Sequence, residues 1–296
     1  MNPSLSRRGA LRAVATAAVS AAVCVSARPA PAAQKRVVSL ELQLTEILVS
    51  LGAAPVAAAD NPLYRRLIGQ PELPANVLDL GPIQQPNLEF LEYLAPDLMV
   101  LPAWEASANR ATLARVAPVE VIGDLERRPP LDNLDLISRR LAAIVGREGT
   151  RVALAAALDE ACARANAVVS PQPTLLCRFF EDGRHLAVFS SNSVLGAVAA
   201  RSGVANAWKG RQNAFGTALA AVETLASMPE ARIVHFHRGA ETDRALARLD
   251  RSPLWRALPP VARGEVIAMP VVHPNGGLAS ATRLADQLRA ALGTHG

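Results

Sequence analysis

The chain has 296 residues, half of them hydrophobic and 19% charged, with a formal charge of +5. Arg7, Arg8, Arg12 and Arg28 supply four of those charges in an N-terminal stretch without acids, so residues beyond 32 carry about +1. A nearly neutral body of this length has the size of two lobes and lacks the basic excess of a nucleic-acid binder.

Ser6-Arg7-Arg8-Gly9-Ala10-Leu11-Arg12 precedes an apolar run, Ala13 to Val25, and Ala30-Pro31-Ala32 offers a small-x-small cleavage site. The pattern predicts a cleaved export signal over 1–32 with a twin-arginine n-region; an ordinary secretory signal is the alternative. The run is shorter than the ~20 residues of a membrane span. Cys24 is expected to leave with the signal. Cys162, in a predicted helix, and Cys177, in an apolar strand, read as buried free thiols, although an oxidising compartment leaves a disulfide open.

Arg36 to Leu40 reads as a strand, Thr45 to Leu51 as a helix stopped by Gly52, and Val56 to Ala59 and Val77 to Gly81 as two further strands. Pro86 opens a helix with Glu89 in its first turn, where an acid suits the dipole. Leu98 to Leu101 is a strand ending at Pro102, Ala108 to Val116 a helix, and Val119 to Ile122 a strand. Alternating strands and helices predict parallel α/β order. Leu131 to Val145 is amphipathic. Glu148 to Val169 is expected as one helix of about 33 Å, a domain-spanning length. After Pro171 and Pro173, Thr174 to Phe179 begins a second set of elements that ends in a helix over Ala281 to Leu292.

Two stretches nearly repeat. Glu89-Phe90-Leu91 and Glu223-Thr224-Leu225 are each followed by Pro-acid and an apolar run (Pro96-Asp97, Pro229-Glu230). Upstream of each lies an apolar helix with a small-residue stop, Glu46 to Pro55 and Val194 to Asn206. A duplicated module implies two lobes with a cleft between them, the usual place for a ligand. The expected partition is 1–32 signal, 33–145 first lobe, 146–170 connecting helix and 171–296 second lobe, with the continuous helix allowing only small opening motions.

Several stretches together name a family: Thr45-x-Ile47-Leu48-x-x-Leu51-Gly52, Pro86-Asn87-Leu88-Glu89, Leu113-Ala114-Arg115-Val116-Ala117-Pro118, Asn206-Ala207-Trp208 and Ser252-Pro253-Leu254-Trp255. In this order the chain, from about Val37 to Leu292, resembles the periplasmic iron–siderophore binding proteins of ABC importers, most closely those for ferric hydroxamates. The resemblance implies a class III periplasmic binding fold, two Rossmann-like lobes joined by one long backbone helix. It also implies capture without catalysis, no cofactor, and iron only within the bound chelate. The implied partners are a ferric siderophore and an inner-membrane ABC permease with its ATPase, with the protein acting as a monomer.

Residue by residue the carry-over is uneven. Ile83 stands where the family has a pocket arginine, leaving Gln84 and Gln85, or Arg65 and Arg66 from a neighbouring loop, to meet the ligand's oxygens. Trp104 is expected as a stacking platform beside Glu105. Asn213 and Phe215 match a pocket loop, and His273 and Asn275 fall where further pocket aromatics would stand. Glu223 corresponds to the second-lobe docking acid; in the first lobe the nearest family position is non-acidic, with Arg110 and Ala111, leaving Glu105 as the acid of that loop. His235 and His237 share one strand face; with His273 and Glu105 across the cleft they suggest a rival zinc or haem site, or a corrinoid ligand, His237 and His273 being the metal candidates. An exported enzyme on the same scaffold is a further alternative, but there is no Gly-x-Ser-x-Gly, no P-loop and no convincing carboxylate pair.

Overall fold

The computed structural model describes residues 35–82, 87–123 and 128–293, so the expected export signal lies outside the described residues. In chain order the first half contains β1 (Val37–Ser39), α1 (Leu42–Ser50), β2 (Ala57–Ala58), α2 (Asn61–Leu67), β3 (Leu78–Asp79), α3 (Leu88–Leu94), β4 (Leu98–Pro102), α4 (Ala106–Leu113) and β5 (Val119–Ile122). The helices α5 (Pro130–Val145) and α6 (Glu148–Asn166) follow. The second half contains β6 (Thr174–Phe179), β7 (His185–Phe189), α7 (Val194–Arg201), β8 (Thr217–Ala221), a 3-10 helix (Val222–Ser227) and β9 (Arg232–His237). It closes with α8 (Ala240–Leu249), α9 (Pro253–Ala257), α10 (Pro259–Ala262), β10 (Val266–Pro270) and α11 (Leu278–Leu292).

The strands form two five-stranded sheets, ordered β3-β2-β1-β4-β5 and β10-β9-β6-β7-β8. The first is parallel throughout. The second departs from the expected parallel order: β6, β9 and β10 run parallel, but β7 pairs antiparallel with both β6 and β8. The cause is local. Asp182 Oδ1 accepts from the N–H groups of Arg184 and His185 (2.8 and 3.0 Å) and folds Asp182-Gly183 into a tight turn. An Asp-Gly pair between two apolar runs is a hairpin signal in the sequence itself.

Some helix starts are set by side-chain caps. Asn87 Oδ1 accepts from Phe90 N at 3.0 Å, so Asn87 caps α3. Ser193 Oγ does the same for α7 from Gly196 N at 3.0 Å. The long helix is shorter than expected, 19 residues or ~29 Å. It ends at Asn166, and Val169 turns inward to pack on the core. The repeat also diverges: its first copy is the α-helix α3, its second the 3-10 helix.

Helices α1, α5, α6, α7 and α11 meet in one central core, where Leu48, Leu141, Leu158, Val198 and Leu284 pack with Val100 of β4 and Val234 of β9. That layer contacts both sheets. On the far face of the first sheet, Leu91 and Leu113 pack with Val38 and Met99. On the far face of the second, Phe179 and Ile233 pack with Leu249 and Trp255. Burying each leucine stabilises by about 2 kcal/mol, so separating the central layer costs far more than one ligand contact returns. Cys162 and Cys177 are buried free thiols, and burial pushes both above the usual thiol range.

Candidate functional site

Parallel strands deliver their following loops to one edge of the sheet, and the first sheet uses that edge. Glu41 and Gln43 follow β1, Pro102-Ala103-Trp104 ends β4, and Gly123 follows β5; all line a cleft of about 1190 Å³. The opposite wall comes from the loop after β7, with Ser191 and Asn192, and from the approach to β8, with Gln212 to Phe215. Asn275, between β10 and α11, also lines it.

Two aromatic side chains face this space from opposite walls. Trp104 is 46% exposed and Phe215 51%. Phe215 is displayed by its own turn: Asn213 Oδ1 accepts from Phe215 N (2.9 Å) and Thr217 N (3.0 Å). Gly216 follows with φ 69°, so close to the Asn192–Ser193 backbone that a Cβ there would stand 2.2 Å from Ser193 N. Only glycine lets the two loops of this wall meet.

Much of the remaining lining is amide: Gln43, Asn133, Asn192, Gln212, Asn213 and Asn275. The described ionisable lining groups are Glu41 and Arg128. Glu41 Oε2 accepts from Gln43 N (2.6 Å) and Leu44 N (3.2 Å), capping α1. Burial raises its carboxyl to about 7 against the pull of those N–H groups, and nearby Glu46 adds to the rise. Glu41 is half-buried at the cleft, protonated at mildly acidic pH and charged above neutrality.

Of the residues singled out from sequence, the cleft brings together Trp104, Asn213, Phe215 and Asn275. Others lie elsewhere. Glu105 is off the lining, its Oε2 accepting from Asn109 Nδ2 at 3.1 Å along α4. Arg65 sits on the exposed face of α2, because the buried face of that helix is taken by Asn61, Tyr64 and Leu67. Gln84, with Ile83 and Gln85, lies outside the described residues.

His273 is half-buried and absent from the lining; burial lowers it to about 4, with Arg238 adding to the shift, and its Nδ1 is buried without a hydrogen-bond partner. His237 Nε2 pairs with Asp243 at 2.9 Å. His235 packs against Phe179, and burial and then His237 lower it to about 4. No three His, Cys, Asp or Glu side chains among the described residues gather as a metal site. The proposed histidine metal set is not gathered among the described residues: one ring is engaged in a hydrogen bond to Asp243 and another packs in the core.

Sequence reading did not place Glu41, Gln43 or Asn192 in the cleft. Their signal was positional: polar residues immediately after an apolar strand, at the edge where parallel strands present their loops.

The profile of the periplasmic binding protein family matches residues 37–272, and the chain belongs to that family. It is 29% identical over 262 residues to the iron(3+)-hydroxamate-binding protein FhuD of Escherichia coli (strain K12), covering 87% of each chain. Among solved structures it resembles the Fe3+–Desferal-bound siderophore binding protein FhuD of Vibrio cholerae. The TM-score is 0.78 at 25% identity, over 88% of this chain and 98% of that one. The fold also matches FeuA of Bacillus subtilis, solved with ferri-bacillibactin, with a TM-score of 0.69 at 14% identity over 86% of this chain and 91% of that one. The fold is that of the class III periplasmic binding proteins. No described helix is long and apolar enough to cross a membrane.

Proposed function

We propose that this protein captures a ferric siderophore of the hydroxamate type in the periplasm and delivers it to an ABC permease. The observation that carries the reading is the pair of exposed aromatics, Trp104 and Phe215, on opposite walls of an amide-rich cleft. Aromatic faces cover the apolar arms of a chelate, and amides hydrogen-bond its oxygens.

Charge favours hydroxamates over catecholates. Three hydroxamates neutralise ferric iron, whereas three catecholates leave a triply negative complex. Such an anion calls for a surplus of cations, and the described lining has one carboxylate against one guanidinium. The relatives' named ligands, ferric hydroxamate and Fe3+–Desferal, point the same way. Binding needs no catalytic group and no cofactor; iron enters as part of the ligand.

The two sheets with their flanking helices serve as the lobes, with α6 as connector, and closure is small because the central helical layer stays packed. Glu223 is exposed and suits a permease arginine. In the first half the duplication offers Glu89, also exposed at the corresponding position, in place of Glu105, whose carboxylate is engaged by Asn109. The twin-arginine segment serves export, and the protein acts as a monomer.

Titration with a panel of ferric chelates, followed by tryptophan fluorescence, tests the ligand class. Saturable quenching by ferric trihydroxamates is expected. No response to any hydroxamate, with tight binding of haem, a corrinoid or a ferric catecholate, would replace this reading.

A further inference from the structure

The first and second halves of the chain are joined by a carboxylate that is entirely out of solvent. Glu46, on the inward face of α1, has no exposed surface. Its Oε2 accepts from the Gly277 N–H (2.9 Å) and the Ser280 hydroxyl (2.9 Å), and its Oε1 from the Ser280 N–H (2.7 Å). These donors form the N-terminus of α11, which has no side-chain cap of its own. The side-chain oxygens of a remote helix thus supply the capping acceptors that this helix end lacks, although burial raises the Glu46 carboxyl above its ordinary range.

Two glycines make the approach achievable. A Cβ on Gly276 would lie 3.2 Å from Glu46 Oε2 and 2.3 Å from Ser280 Cβ; one on Gly277 would lie 2.7 Å from Ile47 Cγ1. Arg283, one turn along α11, adds a second tie to the first half. It donates to Gln70 O (2.6 Å) and Ile68 O (3.2 Å), and to Ser280 Oγ (2.9 Å).

The junction adjoins the cleft at both ends. Glu41 and Gln43, at the start of α1, line it; so does Asn275, immediately before Gly276-Gly277. Gln43 Nε2 also donates to Gly276 O at 3.1 Å. A shift at the Glu46 junction therefore moves cleft residues from both halves at once.

We propose that Glu46 is a positioning residue for ligand binding: it clamps α1 to the N-terminus of α11 and so sets how far apart the two cleft walls stand before ligand arrives. This builds on the binding reading above and adds to it a preset cleft width. Binding then avoids the ordering cost that a loosely hinged cleft would incur.

The test uses Glu46→Gln, which keeps size but places an amide N–H among donors, and the milder Ser280→Ala. Spin labels on the exposed positions Ala111→Cys and Ala226→Cys report the separation of the halves, the native thiols being buried. Glu46→Gln is expected to broaden the ligand-free distance distribution and to weaken ferric desferrioxamine by ~10-fold, with Ser280→Ala intermediate in both. A variant with a lower melting temperature but unchanged distance distribution and unchanged Kd would make Glu46 a purely structural cap and overturn the proposal. If Glu46→Gln does not fold, Ser280→Ala with an unchanged distribution does the same. Failure of the wild-type protein to bind any ferric hydroxamate would count against the function reading alone, because the ligand-free distances still decide the clamp.

Discussion

The two sheets share a centre and differ at one edge. In the first, β1, β4 and β5 run parallel, as do β6, β9 and β10 in the second. Beyond that centre the first sheet adds two parallel strands of two residues each, and the second adds an antiparallel pair of five residues each. The ligand-facing groups follow this difference. In the first half they come from the shared centre, after β1, β4 and β5. In the second they come mainly from the divergent edge, from the loops flanking β7 and β8, with Asn275 after β10 added to them. The duplication thus built a symmetric scaffold, while recognition is asymmetric: a strand-end tryptophan on one wall and a turn-mounted phenylalanine on the other.

The sharpest way to break this asymmetry is at the turn. Gly216→Ala would strain a backbone at φ 69° and drive a Cβ into the Asn192–Ser193 backbone. A loss of about 3 kcal/mol in urea unfolding is expected, together with loss of tryptophan quenching by ferric desferrioxamine. Wild-type stability in the Gly216→Ala variant would show that the two loops of this wall move freely.

Removing the aromatics separates the walls. Trp104→Ala and Phe215→Ala should each weaken binding by ~10-fold and together by ~100-fold, measured by calorimetry. If only one wall matters, one of the single variants will match the double.

The pH response distinguishes the halves with opposite signs. Glu41, raised to about 7 by burial, contributes stability that is complete below its ordinary 4.5 and is lost as pH rises through 7. His235, lowered to about 4 by burial, contributes stability present above its ordinary 6.5 and lost as pH falls through 4. Melting temperatures across pH 4 to 8 should therefore show a shallower descending limb in Glu41→Gln and a shallower acid limb in His235→Phe, part of each limb remaining because burial also raises Glu46 and lowers His273.

The smallest effect on binding is expected at Glu223. Glu223→Ala should leave the ligand Kd unchanged, because the side chain is exposed and away from the cleft lining, while reducing uptake in cells that carry the permease. A wild-type uptake rate in the Glu89→Ala, Glu223→Ala double variant would remove both acids from docking.

Much of this was legible in the residues. Apolar runs marked β1, β2 and β4 of the first sheet, because parallel strands buried on both faces read as continuous hydrophobic segments. The hairpin at Asp182-Gly183 was equally legible and was overridden by the expectation of strict alternation. In the cleft, Trp104 stood out as an aromatic just after a strand end, and Phe215 through the resemblance to a pocket loop of the family. Glu41 and Gln43 did not, since an acid after a strand reads equally well as a helix cap, a role Glu41 also fills. Glu46 was hidden more deeply. Its partners at Gly277 and Ser280 lie over two hundred positions away, a pairing that local pattern cannot reveal.

The central helical layer has a thermodynamic consequence. Because Leu48, Val100, Val198, Val234 and Leu284 belong to a single buried cluster, neither sheet keeps a complete core when its neighbour melts. Heat should unfold residues 35–293 in one calorimetric transition, with equal van't Hoff and calorimetric enthalpies. A ligand held by two walls then shifts the melting of the entire body, including strands it never touches.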